Sequence, residues 1–121
     1  MRSVPLWGWA LAVVAGGLGA LLRTALVRGL SRHEFPAGVL VANGAASAVG
    51  GATIGGRPML EAVWVLVIVG GFCGGLSTLS TFAADTVELW IEGLPRVAVR
   101  NVIANVAVGL GAAWAAYLIA S

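Results

Sequence analysis

The chain alternates between four long apolar stretches and short polar segments. Each stretch holds 20 to 23 residues and contains no Asp, Glu, Lys, Arg or His. The four stretches are Ser3–Leu22, Phe35–Gly56, Ala62–Ala84 and Asn101–Ser121. A helix needs about 20 residues to cross a hydrocarbon core of roughly 30 Å. The pattern therefore predicts an all-α integral membrane protein with four transmembrane helices.

Residues that favour helix starts and turns set the limits of these helices. Pro5 suits the start of the first helix, and Gly93-Leu94-Pro95 suits a turn before the last one. Between the first two helices lies a polar segment, residues 29–34. We predict a single membrane domain over residues 1–121, with spans at about residues 5–28, 36–55, 60–90 and 96–120.

Composition supports a membrane location and excludes most other classes. Hydrophobic residues make up 60% of the chain and charged residues 10%, whereas about a quarter of a soluble domain is charged. The single cysteine, Cys73, excludes an internal disulfide and is expected to be a small packing residue. No set of residues typical of nucleophilic or metal catalysis is available in the spans, so we do not expect an enzyme. The net charge of +2 comes from arginines near membrane boundaries, and we expect no nucleic-acid partner.

The arginines also carry a signal about orientation. Four spans place both termini on one side, where Arg2 and Arg57 would lie. The opposite side would carry Arg23, Arg28, Arg32, Arg96 and Arg100. Positive charge favours the cytoplasmic side, so this bias favours termini outside the cytoplasm. The bias is modest, because two of the five arginines sit close to the spans, and the orientation stays open.

Small residues recur at four-residue intervals along the spans. Gly51 and Gly55 form one such pair, and the third span holds two overlapping pairs within residues 70–75. Small residues at this spacing let membrane helices approach closely. Two interpretations remain: packing against a second copy or a sister chain, and packing within one subunit.

The third span is difficult to explain as an ordinary helix. Four glycines lie within residues 70–75, and Ser77, Thr78, Ser80 and Thr81 follow directly. Each interior glycine costs a helix about 1 kcal/mol. We predict an interruption near mid-membrane at residues 70–78, which would free carbonyls for a cation and amides for an anion. The alternative is a continuous helix with a glycine-rich packing face.

Other polar groups share the spans. Asn43 is alone in the second, and Asn101 and Asn105 lie one turn apart on one face of the fourth. Singly, an amide in a membrane helix most often links helices. Together with the Ser/Thr cluster, the three favour a polar path. Arg23 either reaches to the headgroups or lies at a pore entrance.

Three ordered motifs resemble the Fluc (CrcB) fluoride channel family along essentially the whole chain. The most specific is residues 71–82, GFCGGLSTLSTF, against a family pattern GFCGGLTTFSTF. Residues 16–23, GGLGALLR, resemble GGxxGAxxR, and residues 36–43, PAGVLVAN, resemble a PxGTLxxN stretch. The chain is identified on these motifs as a member of that family.

The resemblance implies an antiparallel, dual-topology dimer with two narrow fluoride pores along the subunit interface. It also implies a structural sodium ion held by the backbone carbonyls of Gly74 and Ser77 from both subunits. Arg23 would lie near a vestibule. The fluoride path would be lined by Asn43, Ser80, Thr81, Phe82, Asn101 and Asn105.

The function that this resemblance implies is passive export of fluoride from the cytoplasm, which gives fluoride resistance. The expected location is the bacterial inner membrane, crossed in several passes. The expected partners are fluoride, membrane lipid, and a second copy or a paralogous subunit.

Two departures from the family pattern bear on this expectation. Leu79 stands where the family has the first of two pore phenylalanines, and Val39 stands where it has threonine. Both changes remove a polar or aromatic edge from positions that the resemblance places at the pore. They favour, as an alternative, one subunit of a heterodimer in which one pore is degenerate, or a subunit that does not conduct.

A small multidrug-resistance transporter is the main rival from another class. Such proteins share the length, the four spans and the dual topology, but they resemble one another in an essential Glu in the first span. Residues 3–22 contain no acid, so proton-coupled export lacks its carrier here.

Overall fold

The computed structural model describes residues 3–30, 35–57 and 60–121. In this part of the chain every secondary-structure element of three or more residues is a helix. Four helical spans are long and apolar enough to cross a membrane, which confirms the predicted all-α membrane architecture. The elements are α1 (Leu6–Leu30), α2 (Ala37–Gly55), α3 (Ala62–Val65), a π-helix (Leu66–Cys73), α4 (Gly74–Leu76), α5 (Leu79–Ile91) and α6 (Pro95–Ala120). The third span, Ala62–Ile91, thus consists of α3, the π-helix, α4 and α5.

The most extensive packing is between α2 and α6, and it depends on glycine. A Cβ on Gly51 would collide with the backbone of Ala113, and one on Gly55 would collide with the backbone of Tyr117. Only glycine allows the two helix backbones this close approach. The paired spacing of Gly51 and Gly55 thus serves contacts within one subunit.

The glycines of the third span have a similar role against α1. A Cβ on Gly75 would overlap the carbonyl of Gly16, and one on Gly71 would overlap the backbone of Ala12. Both glycines are helical, in α4 and the π-helix. The segment 70–75, where the sequence places the start of an interruption, is therefore helical and tightly packed.

The helical backbone, π and then α, is interrupted after these glycines. Ser77 and Thr78 have extended backbone, with φ/ψ of −75°/153° and −148°/119°. Thr78 is the N-cap of α5, because its hydroxyl oxygen accepts a hydrogen bond from Thr81 N at 3.1 Å. One helical run therefore ends at Leu76, and a second starts at Leu79.

Two small clusters of buried apolar side chains lie in the described part of the chain. Cys73 belongs to the first, with Ala42, Ala46 and Leu76, as expected of a packing residue. The second joins the end of α5 to the start of α6 through Leu89, Val97 and Ala98, and Phe35 packs against it. Phe35 precedes α2, so the start of α2, the end of α5 and the start of α6 lie at one end of the bundle. Arg2, Arg32, His33 and Glu34 lie outside the described residues.

Candidate functional site

The centre of the polar interior is a pair of hydrogen bonds between Asn43 and the backbone of Thr78. Asn43 Oδ1 accepts from Thr78 N at 2.7 Å, and Asn43 Nδ2 donates to Thr78 O at 3.1 Å. A polar backbone group left unpaired in an apolar interior costs several kcal/mol. The side chain of Asn43 therefore satisfies both backbone groups of a residue that lies outside the helical hydrogen-bond pattern.

From Asn43 a chain of hydrogen bonds runs through α6 to α5. Asn43 Nδ2 donates to Asn105 Oδ1 at 3.4 Å, and Asn105 Nδ2 donates to the side-chain and backbone oxygens of Asn101 at 2.9 and 2.8 Å. Asn101 Nδ2 donates to Thr86 Oγ1 at 3.0 Å, and Thr86 Oγ1 donates to the carbonyl of Phe82 at 2.7 Å. Asn101 is fully buried. The network links three helices and ends at a residue that the sequence places on the ion path.

Asn43, Thr78 and Asn105 of this network line a groove on the surface of the subunit. The groove has a volume of about 290 Å³, and its lining combines uncharged polar groups with apolar side chains. Its lining includes Asn43, Ser47, Ser77, Leu79, Phe82 and Asn105. No charged side chain lies among the described residues that line it.

The remaining predicted path residues take different positions. The hydroxyls of Ser80 and Thr81 lie 3.4 and 3.1 Å from the hydroxyl of Thr78, in the first turn of α5. They extend the polar cluster but are not groove-lining residues. Asn101 reaches the groove only through Asn105. Arg23 is half-buried on α1, outside both network and groove, and its vestibule role stays a prediction.

Gly74 and Ser77 lie where the helical run ends, and both are exposed. In an uninterrupted helix the N–H of Thr78 would bond to the carbonyl of Gly74, but here it bonds to Asn43. The described residues contain no group of three or more His, Cys, Asp or Glu side chains that would hold a metal. A cation at this place would therefore have to bind backbone and hydroxyl oxygens.

The structure corrects one expectation about the pore. Val39 has no exposed surface and lies in the interior of the subunit, so it does not line the groove. Leu79 does line it and is 78% exposed. Of the two departures from the family pattern, only Leu79 changes the groove surface.

Three polar residues of the site were not among the predicted path residues, although their spacing carries a signal. Ser47 follows Asn43 by one helical turn and lines the same groove. Thr86 follows Phe82 by one turn, but it lies between the acids Asp85 and Glu88, which are typical of a solvated helix end. Thr78 belongs to the recognised motif, and its role depends on its backbone.

Replacing Thr86 with valine is expected to lower the stability of the folded protein by about 1 kcal/mol. The change keeps the shape of the side chain but removes the bond from Asn101, which joins α6 to α5, and the bond to the Phe82 carbonyl within α5. A hydrogen bond between membrane helices contributes about 0.6 kcal/mol on average, and the Asn101 amide that loses its acceptor is fully buried. Thr53→Val is the matched control, because the buried Thr53 hydroxyl donates only to Val49 of its own helix. Equal unfolding free energies for the two variants would contradict a linking role for Thr86.

Four apolar helices around an uncharged polar interior define a small multi-pass integral membrane protein. The family described as "CrcB-like protein, Camphor Resistance (CrcB)" matches residues 10–117, and the chain belongs to this family.

Curated relatives cover most of the chain. It is 40% identical to the Fluoride-specific ion channel FluC 2 of Haloarcula marismortui, over 82% of this chain and 84% of the relative. It is 37% identical to the Fluoride-specific ion channel FluC of Pyrococcus abyssi, over 91% and 93% of the two chains. It is 41% identical to the FluC of Nitrosomonas europaea, over 84% and 85%. This family consists of ion channels, which confirms that the chain is not an enzyme.

Proposed function

We propose that the chain is a subunit of a fluoride-selective channel through which fluoride leaves the cytoplasm passively. The proposal is supported by the family and by relatives that are named as fluoride-specific channels. The observation that carries it is the groove, which brings Asn43, Asn105 and Phe82 together without a charged side chain.

The chemistry of the groove suits a small anion. Fluoride is strongly hydrated, so a dry path must replace its water with close hydrogen-bond donors, and amides and hydroxyls are such donors. The edge of the Phe82 ring is the positive end of its quadrupole and attracts an anion in a constriction. A cytoplasm-negative potential drives a monovalent anion outward with about 2.3 kcal/mol per 100 mV. Passive export would therefore lower cytoplasmic fluoride and give resistance to it.

We place the pore at the interface of an antiparallel, dual-topology dimer. In one subunit the groove is open to the side, and Leu79 on its wall is 78% exposed. A groove lined by amide and hydroxyl groups would place polar surface against lipid, which is unfavourable in hydrocarbon. A second subunit would cover the groove and turn it into an enclosed path.

A structural sodium ion fits the arrangement at the end of the helical run. A helix C-terminus is the negative end of the helix dipole, and unwound carbonyls coordinate sodium in broken membrane helices. The Gly74 carbonyl is released from Thr78, Ser77 follows it by three residues, and both residues are exposed. These two carbonyls would be too few alone, so the proposal requires the same pair from a second subunit. The ion would hold the two interrupted spans together.

A heterodimer is the second candidate, and Leu79 favours it. In a homodimer both pores would present leucine at this position, whereas a sister subunit with phenylalanine there would complete at least one pore. Relatives with numbered names, such as FluC 2 of Haloarcula marismortui and FluC 1 of Nocardia farcinica, are consistent with sister chains in one organism. In this form the chain would contribute to one conducting pore, or only to the stability of its partner.

Expression in a bacterium that lacks fluoride exporters tests the proposal. We expect the chain to fractionate with the inner membrane and to raise the fluoride concentration that arrests growth at least tenfold. Rescue only with a co-expressed sister chain would favour the heterodimer. Normal membrane insertion without rescue in either case would contradict a role in fluoride export.

A further inference from the structure

All hydrogen-bonding capacity of the Asn43 amide nitrogen is used within the subunit. An asparagine amide has two N–H donors. One is directed to Thr78 O at 3.1 Å and the other to Asn105 Oδ1 at 3.4 Å, and Oδ1 accepts from Thr78 N at 2.7 Å. In this arrangement Asn43 has no N–H left for an anion, although it lines the groove.

The bond from Thr78 N to Asn43 Oδ1 leaves the Gly74 carbonyl without its usual helical donor. In a continuous helix the N–H of Thr78 would bond to the Gly74 carbonyl, and Asn43 Oδ1 occupies that position instead. The same side chain also satisfies Thr78 O, so both polar groups of an extended residue are paired by one amide. Asn43 thereby pairs the backbone of Thr78 as a neighbouring β-strand would. The interruption of the third span then leaves neither polar group of Thr78 unpaired in an apolar interior, which would be unfavourable.

We propose that Asn43 is a positioning residue that holds Ser77 and Thr78 extended and keeps the Gly74 carbonyl free for a cation. The second part of this proposal, a cation bound at the Gly74 carbonyl (the cation step), rests on the proposed function. The first part, the extended backbone held by Asn43, does not, because it follows from the contacts within one subunit. The residue that faces the fluoride path thus also controls the geometry of the cation site.

Neighbouring contacts provide the means to separate this role from that of a direct fluoride ligand. The N-cap bond from Thr81 N to the Thr78 hydroxyl does not involve Asn43, so α5 keeps its own start without it. Asn105 contacts Asn43 but not Thr78. Asn105→Ala therefore alters the polar path and leaves both bonds to Thr78 in place.

The experiment is amide hydrogen exchange at Thr78 in the purified full-length protein, combined with the rise in Tm on adding sodium in place of choline. For Asn43→Leu we expect exchange at the Thr78 N–H to become at least tenfold faster. If the Thr78 N–H instead bonds to the Gly74 carbonyl, exchange stays slow but the rise in Tm with sodium is lost, because that carbonyl is no longer available to a cation. Asn105→Ala should keep the exchange rate within twofold of the wild type and keep the sodium response.

Asn43→Asp provides the conservative rescue and covers the case in which Asn43→Leu does not fold. In its protonated form, which an apolar interior favours, the carboxyl still accepts from the N–H of Thr78 and donates its one O–H to Thr78 O. Exchange protection and the sodium response should therefore persist even where fluoride flux is lost. Fast exchange at Thr78 in Asn43→Asp would overturn the proposal. So would an unchanged exchange rate and sodium response in Asn43→Leu, which would leave Asn43 as a fluoride ligand only.

The two proposals fail in distinguishable ways. Exchange at Thr78 requires neither fluoride flux nor a bound cation, so a wild-type protein that does not conduct bears only on the proposed function. A wild-type protein whose Tm is the same in sodium and choline would overturn the cation step.

Discussion

Replacing Gly51 with alanine is expected to destabilise the protein by about 2 kcal/mol or more, whereas the same change at the adjacent Gly50 is expected to be neutral or stabilising. A new Cβ on Gly51 would collide with the backbone of Ala113, which is part of a helix and cannot move aside like a flexible side chain. Overpacking of this kind typically costs 1 to 3 kcal/mol. A Cβ on Gly50 meets nothing within 4 Å.

The comparison is informative because both changes have the same intrinsic effect on helix α2. Alanine is favoured over glycine in a helix interior by about 1 kcal/mol, so propensity alone predicts that both variants are stabilised. Denaturation in detergent micelles, followed by helix content, measures the two free energies of unfolding. Similar values for Gly51→Ala and Gly50→Ala would contradict the close approach of α2 and α6.

Replacing Phe82 with leucine is expected to lower fluoride efflux at least tenfold while leaving the fold intact. Phe82 and Leu79 both line the groove, and the change would leave two leucines and no aromatic edge at these positions. The bond from Thr86 is made to the backbone carbonyl of Phe82, so it does not depend on the ring. Efflux from liposomes, normalised to the amount of folded protein, measures the effect.

Leu79→Met is the matched control for this variant. It changes a side chain on the same groove wall without removing an aromatic ring, and we expect efflux within threefold of the wild type. Equal efflux from Phe82→Leu and Leu79→Met would show that the ring edge of Phe82 does not contribute to conduction.

The sequence predicts the membrane architecture well because the signal is local. A helix that crosses hydrocarbon must exclude charge over about 20 residues, and that requirement can be seen within each stretch separately. The same holds for Cys73, whose uncharged, glycine-rich surroundings within its own span already indicate a packing position. The glycines also mark the third span as unusual without reference to other helices.

The conformation at Ser77 and Thr78 cannot be read from the third span alone. It depends on Asn43, which lies 35 residues earlier in the chain and supplies the partners of Thr78. The tight fit of Gly71 and Gly75 against α1 explains in turn why the glycine segment stays helical. Distant contacts therefore determine where the hydrogen bonding is interrupted.

Val39 shows what a motif match alone cannot predict. Its place in a motif suggested a pore position, but a motif match does not state which face of a helix a residue occupies. Val39, Ala42 and Ala46 recur at helical spacing, and all three are buried. That periodicity was available in the sequence and places Val39 in the interior.

Fluoride efflux from liposomes that contain only this chain tests the central claim most directly. A fluoride electrode follows release, and chloride-loaded liposomes provide the selectivity control. We predict rapid release of fluoride without release of chloride, and its loss in Phe82→Leu. The absence of fluoride release from correctly folded protein, both alone and together with a sister chain, would contradict the assignment as a fluoride channel subunit.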